Sequence, residues 1–240
     1  MIENSRLLAL VVARGGSKRL PRKNVLDLAG KPVIAWTIEA AMKSKYVDRV
    51  VVSTDDDEII NVSKLFGADV PFRRPEELAD DKAKSIDVVR HAINALKSED
   101  DIYNYCLLLQ PTSPLRTAEH IDAAVELLLE KKADSILSVT KISHPLEWVN
   151  TLPEDLSMDG FFCSELEGKR SQDFPDKYQL NGAIYINRIP SMLQSNSLIN
   201  CGKTYAYIMS QENSVDIDGY VDFLLARALL QEAQKERQVL

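Results

Sequence analysis

Five cations flank a glycine pair in the stretch LLALVVARGGSKRLPRKN, residues 7–24: Arg14 just before Gly15 and Gly16, and Lys18, Arg19, Arg22 and Lys23 after them. Charge-assisted donors beside backbone N–H groups freed by glycine suit phosphoryl oxygens, so this loop reads as a grip for a triphosphate. It contains neither a Walker A sequence nor GxGxxG, which argues against a P-loop hydrolase and a dinucleotide oxidoreductase. A second chemical signal lies near the other end of the chain, where Asp216 and Asp218 alternate in VDID. Carboxylates on alternate residues of an extended segment point to one side and can share one or two Mg²⁺ ions. Asp218 could instead cap the helix that follows, and Asp222 would favour that helix N-terminus.

These residues need elements to position them. Leu7–Ala13 is a short apolar run ended by turn residues, which predicts a buried parallel strand and puts the cations on the loop leaving its carboxyl end. Ligands bind there in open α/β sheets. The remaining pattern alternates: a helix over 31–43, a strand over 49–54, a helix over 57–66 closed by Gly67, and a short strand over 68–72. A helix over 85–96, a strand over 103–109, a helix from Thr117 to about 132 and a strand over 135–140 complete the run. Such β-α alternation implies a three-layer α/β/α architecture around a mostly parallel sheet with right-handed crossovers. From Ile142 to about Tyr178 the alternation stops, and Trp148, Phe161, Phe162 and Phe174 mark an insertion too apolar to stand alone in solvent. Strands over 182–187 and 204–209 and a helix over 218–236 close the chain, which reads as one domain of residues 1–240 with an inserted arm at about 142–178.

Composition narrows the partners. The 240 residues carry a net charge of -7, so a general nucleic-acid grip is excluded without a concentrated basic face, and the one dense basic cluster is the opening loop. Cys106, Cys163 and Cys201 show no CxxC spacing, which argues against a zinc site or a disulfide framework and for a reducing compartment. The N-terminal apolar run is too short for a membrane span and has no cleavage signature, so a cytoplasmic location is the expectation. His91, His120 and His144 lack metal-ligand spacing, and Arg116 reads as an ion-pair partner near a helix start.

ARGGSKRLPRKN resembles the N-terminal signature of the acylneuraminate cytidylyltransferases, the CMP-sialic acid synthetase family. VVSTDDDEI, RRPEELADDKAKS, LLLQPTSPLRT, HPLEW, YQLNGAIYI and SVDIDGYVD match in order through nearly the whole chain. The resemblance implies a Rossmann-like fold of the nucleotide-diphospho-sugar transferase type, and joining of CTP to an acidic nine-carbon sugar with release of pyrophosphate. It implies that Arg14, Gly15, Gly16, Lys18 and Lys23 bind the triphosphate, with Asn24 nearby, and that Lys23 stabilises charge building on the phosphates. Arg74 and Ser85 fall at positions used around cytosine and ribose, and Asp216 and Asp218 at the metal-binding carboxylates. Arg14, Lys23, Asp216 and Asp218 form the implied catalytic set. Gln110, Arg170, Gln179, Asn181 and Tyr185 form the implied sugar set. The inserted arm is implied to cross to a second subunit of a homodimer and complete its pocket.

Two departures bear on the sugar: Glu147 stands where sialic-acid-specific members usually carry lysine, and Gln179 where they usually carry arginine. Losing two cations near an acidic sugar points towards related nonulosonates such as legionaminate or pseudaminate as well as N-acetylneuraminate. A Kdo cytidylyltransferase, with a similar RxxSxRLPxK loop, and a nucleotide-binding regulatory module without turnover are the alternatives.

Overall fold

The computed structural model describes residues 5–98, 101–162, 168–199 and 202–239, with side chains to 235. Six strands form one sheet: β1 (Leu7–Val12), β4 (Arg49–Ser53), β5 (Tyr105–Leu109), β6 (Ser135–Lys141), β7 (Tyr178–Arg188) and β8 (Thr204–Met209). Their spatial order is β4-β1-β5-β7-β6-β8, and every pairing is parallel except those of β7, which runs antiparallel to both β5 and β6. A two-residue hairpin, β2 (Asp27–Leu28) with β3 (Lys31–Pro32), stands apart from the sheet.

Full burial of Leu7 to Leu10 follows from helices on both faces of the sheet. One face carries Leu7, Ala9 and Val11. It packs on α1 (Val33–Lys43) through Ile34 and Ile38, on α2 (Asp57–Leu65) through Ile59, and on α4 (Ala118–Lys131) through Ile121, Val125 and Leu128. The other carries Leu8 and Leu10 against Ile86, Val89 and Leu96 of α3 (Ser85–Lys97) and Ile189 and Met192 of α5 (Ile189–Ser195). The last helix, α6 (Tyr220–Val239), lies off the sheet and packs Phe223, Ala226 and Leu230 on Leu28, Val33 and Ile217. The three-layer, mostly parallel architecture expected from the alternation is therefore present.

Several boundaries differ. The strand expected over 68–72 reduces to a single bridge between Val51 and Asp69, because Pro71 follows and cannot donate to a ladder. The fifth strand starts at Tyr105 rather than Tyr103, whose hydroxyl donates to Asp101 at 2.7 Å under the Arg6 guanidinium. The strand expected over 182–187 is longer, and the last helix starts at Tyr220. The β2–β3 hairpin and α5 were not legible in the periodicity. At the α4 start, the Thr117 N–H donates to His120 Nδ1 at 3.1 Å, so that imidazole closes a cap.

The inserted segment is the connection of a long hairpin. Thr140 pairs with Gln179 and Lys141 with Tyr178, so both roots lie side by side at the end of β6 and β7. Within it Trp148 and Phe174 pack edge to face, as do Phe161 and Phe162. Leu146, Val149, Leu152, Leu156, Met158 and Phe162 remain exposed. Cys106 is buried, its thiol pushed up to about 12 by burial, while Cys163 and Cys201 lie outside the described residues. No described helix is long and apolar enough to cross a membrane.

Candidate functional site

A cleft of about 570 Å³ opens at the carboxyl ends of β1 and β5, a size within the ordinary range for small-molecule sites. The opening loop forms one wall. Ala13 extends the β1 ladder by donating to Ser53 O at 3.1 Å, and the chain then turns outwards. The buried Asn24 side chain donates to Arg14 O at 3.0 Å and braces the loop from within. Arg14, Lys18, Arg19 and Lys23 all line the cleft.

Gly15 and Gly16 do not line it. The Gly15 N–H donates to Asp55 Oδ1 at 3.2 Å and the Ser17 N–H to Gly15 O, so these groups shape the turn instead of facing the cavity. A Cβ at Gly15 would lie 2.7 Å from Asp56 Oδ2, so glycine is required there by close approach.

The acidic segment meets that wall. Ile217 is fully buried beneath α6, an anchor worth about 1.5–3 kcal/mol, and so turns Asp216 and Asp218 into the cleft on either side of it. Its own N–H donates to Thr112 O at 2.8 Å. Lys23 Nζ donates to Ile217 O at 2.6 Å and lies 3.8 Å from Asp218, while Arg19 pairs with Asp218 at 2.7 Å. Burial lowers the Lys23 pKa, and Asp218 and Asp216 partly restore it. The Asp216 pKa is raised, by its crowded surroundings first and by the Asp218 charge as well, against a hydrogen bond from the Thr112 hydroxyl. Capping of α6 belongs to Asp222, whose Oδ2 accepts from the N–H groups of Asp218 and Gly219 at 3.0 and 2.7 Å. Asp218 keeps its carboxylate for the cleft.

The opposite wall comes from residues 74–88. Arg74 is buried, its Nε donating to Ser53 Oγ at 3.1 Å and its backbone N–H to Thr54 O at 2.8 Å. Burial pulls its pKa down to about 10, so it stays cationic at neutral pH beside the cavity. Ser85 stands at the first turn of α3, also on the cleft. Asp81 crosses the mouth, pairing with Arg14 at 2.6 Å and with Lys18. Asp81 and Thr112 were missed as site residues. ADDK looks like a polar turn, and nothing in its pattern reports that it faces the basic loop.

The sugar set is not brought together within one chain. Gln110 lines the cleft and lies against Gly182, where φ is +73° and a Cβ would be 2.6 Å from Gln110 Oε1. Asn181 is buried, its Oδ1 accepting from Ser138 Oγ at 2.5 Å and its Nδ2 donating to Ser214 Oγ at 2.9 Å, so its amide ties β6 and β7 to the segment before Val215. Tyr185 is half-buried, and burial together with the Asp216 charge raises its phenol pKa. Gln179 is exposed on β7 opposite Thr140, and Arg170 is exposed in the arm; neither lines the cleft. Glu147 pairs with Lys177 at the base of the arm, which holds its carboxyl below the usual range. Arg116 is not an ion-pair partner at the helix start; it is buried and holds carbonyl groups.

Comparison with known proteins accounts for this combination. Residues 8–155 match the family model described as cytidylyltransferase. The chain is 36% identical over 238 residues to a CMP-N,N'-diacetyllegionaminic acid synthase of Legionella pneumophila, covering 96% of this chain and 98% of that protein. It is 34% identical to a pseudaminic acid cytidylyltransferase of Campylobacter jejuni, covering 92% of this chain and 95% of that protein. It is also 36% identical to an N-acylneuraminate cytidylyltransferase of Escherichia coli O18:K1:H7 over 97% of its length, but spans only 54% of that relative. Among solved structures, CMP:2-keto-3-deoxy-manno-octonic acid synthetase complexed with CTP superimposes with a TM-score of 0.68 at 19% identity, covering 95% of this chain and 100% of that one. That likeness concerns the fold. With a family model matched over residues 8–155, more than half of the chain, and two of these relatives above 30% identity over nearly their full length, the chain belongs to the cytidylyltransferase family.

Proposed function

We propose that the protein transfers CMP from CTP to the anomeric hydroxyl of a nine-carbon acidic sugar, releasing pyrophosphate. One observation carries this reading: the basic loop, the Asp216–Asp218 pair, Arg74 and Ser85 face a single cleft at the carboxyl end of β1. Arg14, Lys18 and Lys23 bind the triphosphate through charge-assisted hydrogen bonds. Lys23, held between Ile217 O and Asp218, neutralises charge that grows on the phosphates as the sugar hydroxyl attacks the α-phosphorus and the bond to pyrophosphate breaks. Catalysis of this kind rests on alignment and charge neutralisation, with no covalent intermediate on the protein. Arg74 and Ser85 recognise the cytidine end, where polar groups must match the exocyclic amine of cytosine.

Asp216 and Asp218 fit a magnesium ion. Both face the cleft, and the Asp218 charge raises the Asp216 pKa, a repulsion that a divalent cation relieves. Among the described residues no cluster of three or more His, Cys, Asp or Glu stands ready for a metal, so the other ligands would be phosphate oxygens and water, the usual habit of Mg²⁺. Such an ion would supply charge neutralisation at the phosphates.

The named relatives support a sialic-acid-like acceptor, spanning N-acylneuraminate, pseudaminic and legionaminic acids. Gln110 contacts it from the cleft. Arg170, Gln179 and the exposed apolar residues of the arm belong to a homodimer in which the arm completes the neighbouring site. A cytoplasmic location is part of the proposal. Incubation with CTP, Mg²⁺ and, in turn, N-acetylneuraminate, legionaminate, pseudaminate and Kdo, following pyrophosphate, tests it. Release with a nonulosonate is expected, and release with Kdo alone or with none would overturn it.

A further inference from the structure

Arg116 is about 2% exposed and carries a charge that the chemistry of the cleft does not use. Its Nη1 donates to Ser113 O at 3.1 Å, with Gln110 O and Ala183 O each at 3.4 Å. Nε and Nη2 find no acceptor among the described residues. Burial is the single cause lowering its pKa, to about 9, with no carboxylate offsetting it, so the group is cationic at neutral pH. Burying a cation without a carboxylate is destabilising, and an apolar side chain of similar volume would serve packing better. The placement of its contacts suggests what is gained. Gln110 and Ser113 bracket Pro111-Thr112 at the carboxyl end of β5, and Ala183 belongs to β7 next to Gly182, which Gln110 touches. Thr112 O in turn accepts from the Ile217 N–H at 2.8 Å, and the Thr112 side chain favours the charged form of Asp216.

We propose that Arg116 is a positioning residue for nucleotidyl transfer: it pins the 110–113 turn to β7 so that Thr112 holds the Asp216–Asp218 segment against the phosphate site. It acts through Thr112, since Arg116 itself does not line the cleft. This rests on the proposed reaction. A flat or neutral side chain can fill the space, but a planar guanidinium is what reaches carbonyls from two elements at once.

The test compares Arg116→Met, Arg116→Lys, Thr112→Val and Arg116→Met/Thr112→Val for kcat, KM for CTP and melting midpoint. Arg116→Met is expected to melt cooperatively at or above the parent midpoint, with kcat reduced about tenfold or more by misplacement and KM for CTP within about twofold. Arg116→Lys should not rescue it. Thr112→Val should lower kcat severalfold, and the double variant should fall no further than Arg116→Met, because the two act as one unit. Additive losses, a raised KM with kcat unchanged, or activity lost only in proportion to a lowered midpoint would overturn the proposal. Should Arg116→Met fail to fold, Thr112 decides: kcat lost in Thr112→Val and largely recovered in Thr112→Ser supports it, and an unaltered Thr112→Val overturns it. A parent enzyme without turnover would overturn the functional reading and this one with it, whereas an active parent with additive losses overturns this one alone.

Discussion

Asp218 and Asp222 sit one helical turn apart and divide two tasks that the same residue type could perform. Asp222 accepts two N–H groups at the start of α6, and Asp218 turns its carboxylate to Arg19 and Lys23 in the cleft. Asp218→Ala should therefore abolish turnover with the melting midpoint little changed. Asp222→Ala should cost about 1 kcal/mol as a lost cap, or about 2–4 °C in a chain of this size. Parallel assays of pyrophosphate release and thermal melting check both, and a turnover-competent Asp218→Ala would remove the metal assignment. At this scale the sequence was informative where spacing carries the chemistry: VDID shows two acids on one side of an extended segment without any structure. It was silent where function depends on a partner far along the chain. That Asp81 faces Arg14 and Lys18, that Gly15 is glycine because Asp56 approaches it, and that Arg116 serves carbonyls instead of a carboxylate are all tertiary facts.

Elements were legible by period but not by direction. The Gly182–Asn187 run announces a strand, yet its antiparallel placement between β5 and β6 follows from where the inserted segment returns the chain. Helix α5 was hidden by its seven residues, too few to show a period, and β2–β3 by its two-residue strands. At the amino end of the sheet, Asp101 joins elements that no local pattern connects. It accepts from Arg6 at 2.6 Å and from Arg49 at 2.5 Å, tying the starts of β1 and β4 together, with Tyr103 as a third donor. Burial raises the Asp101 pKa, but the bonds from Tyr103, Arg49 and Arg6 outweigh it and leave the net value below normal. A carboxyl with a depressed folded-state pKa contributes stability above its unfolded value and loses it as pH falls through the folded one. Asp101→Asn should accordingly cost about 1 kcal/mol at neutral pH, after allowance for solvent screening, and nearly nothing once both forms are protonated below the usual carboxylate range. Urea unfolding of both proteins at neutral and strongly acidic pH checks this; an equal gap at both would contradict it.

For the whole molecule, the exposed Val149, Leu156 and Phe162 of the arm need a cover that the described residues do not provide. Sedimentation velocity should give a dimer. Leu156→Glu with Phe162→Glu should shift it to monomer and lower turnover with the sugar, while CTP binding by calorimetry persists because the basic loop lies elsewhere; a monomeric parent with full activity would refute the shared site. The cleft that takes the nucleotide in the proposed reaction was readable from the chain because its parts are local loops on strand ends, whereas the proposed acceptor residues Arg170 and Gln179 lie away from it, in and beside an arm whose path no periodicity encodes. The roots of that arm, Lys141 and Tyr178, are paired neighbours in the sheet. Because the ends are already fixed side by side, the entropy of closing the connection rises only with the logarithm of its length, about 0.6 kcal/mol per doubling. The arm can thus be lengthened, shortened or replaced at little entropic cost while β1, its basic loop and the Asp216–Asp218 segment keep their registration around the cleft.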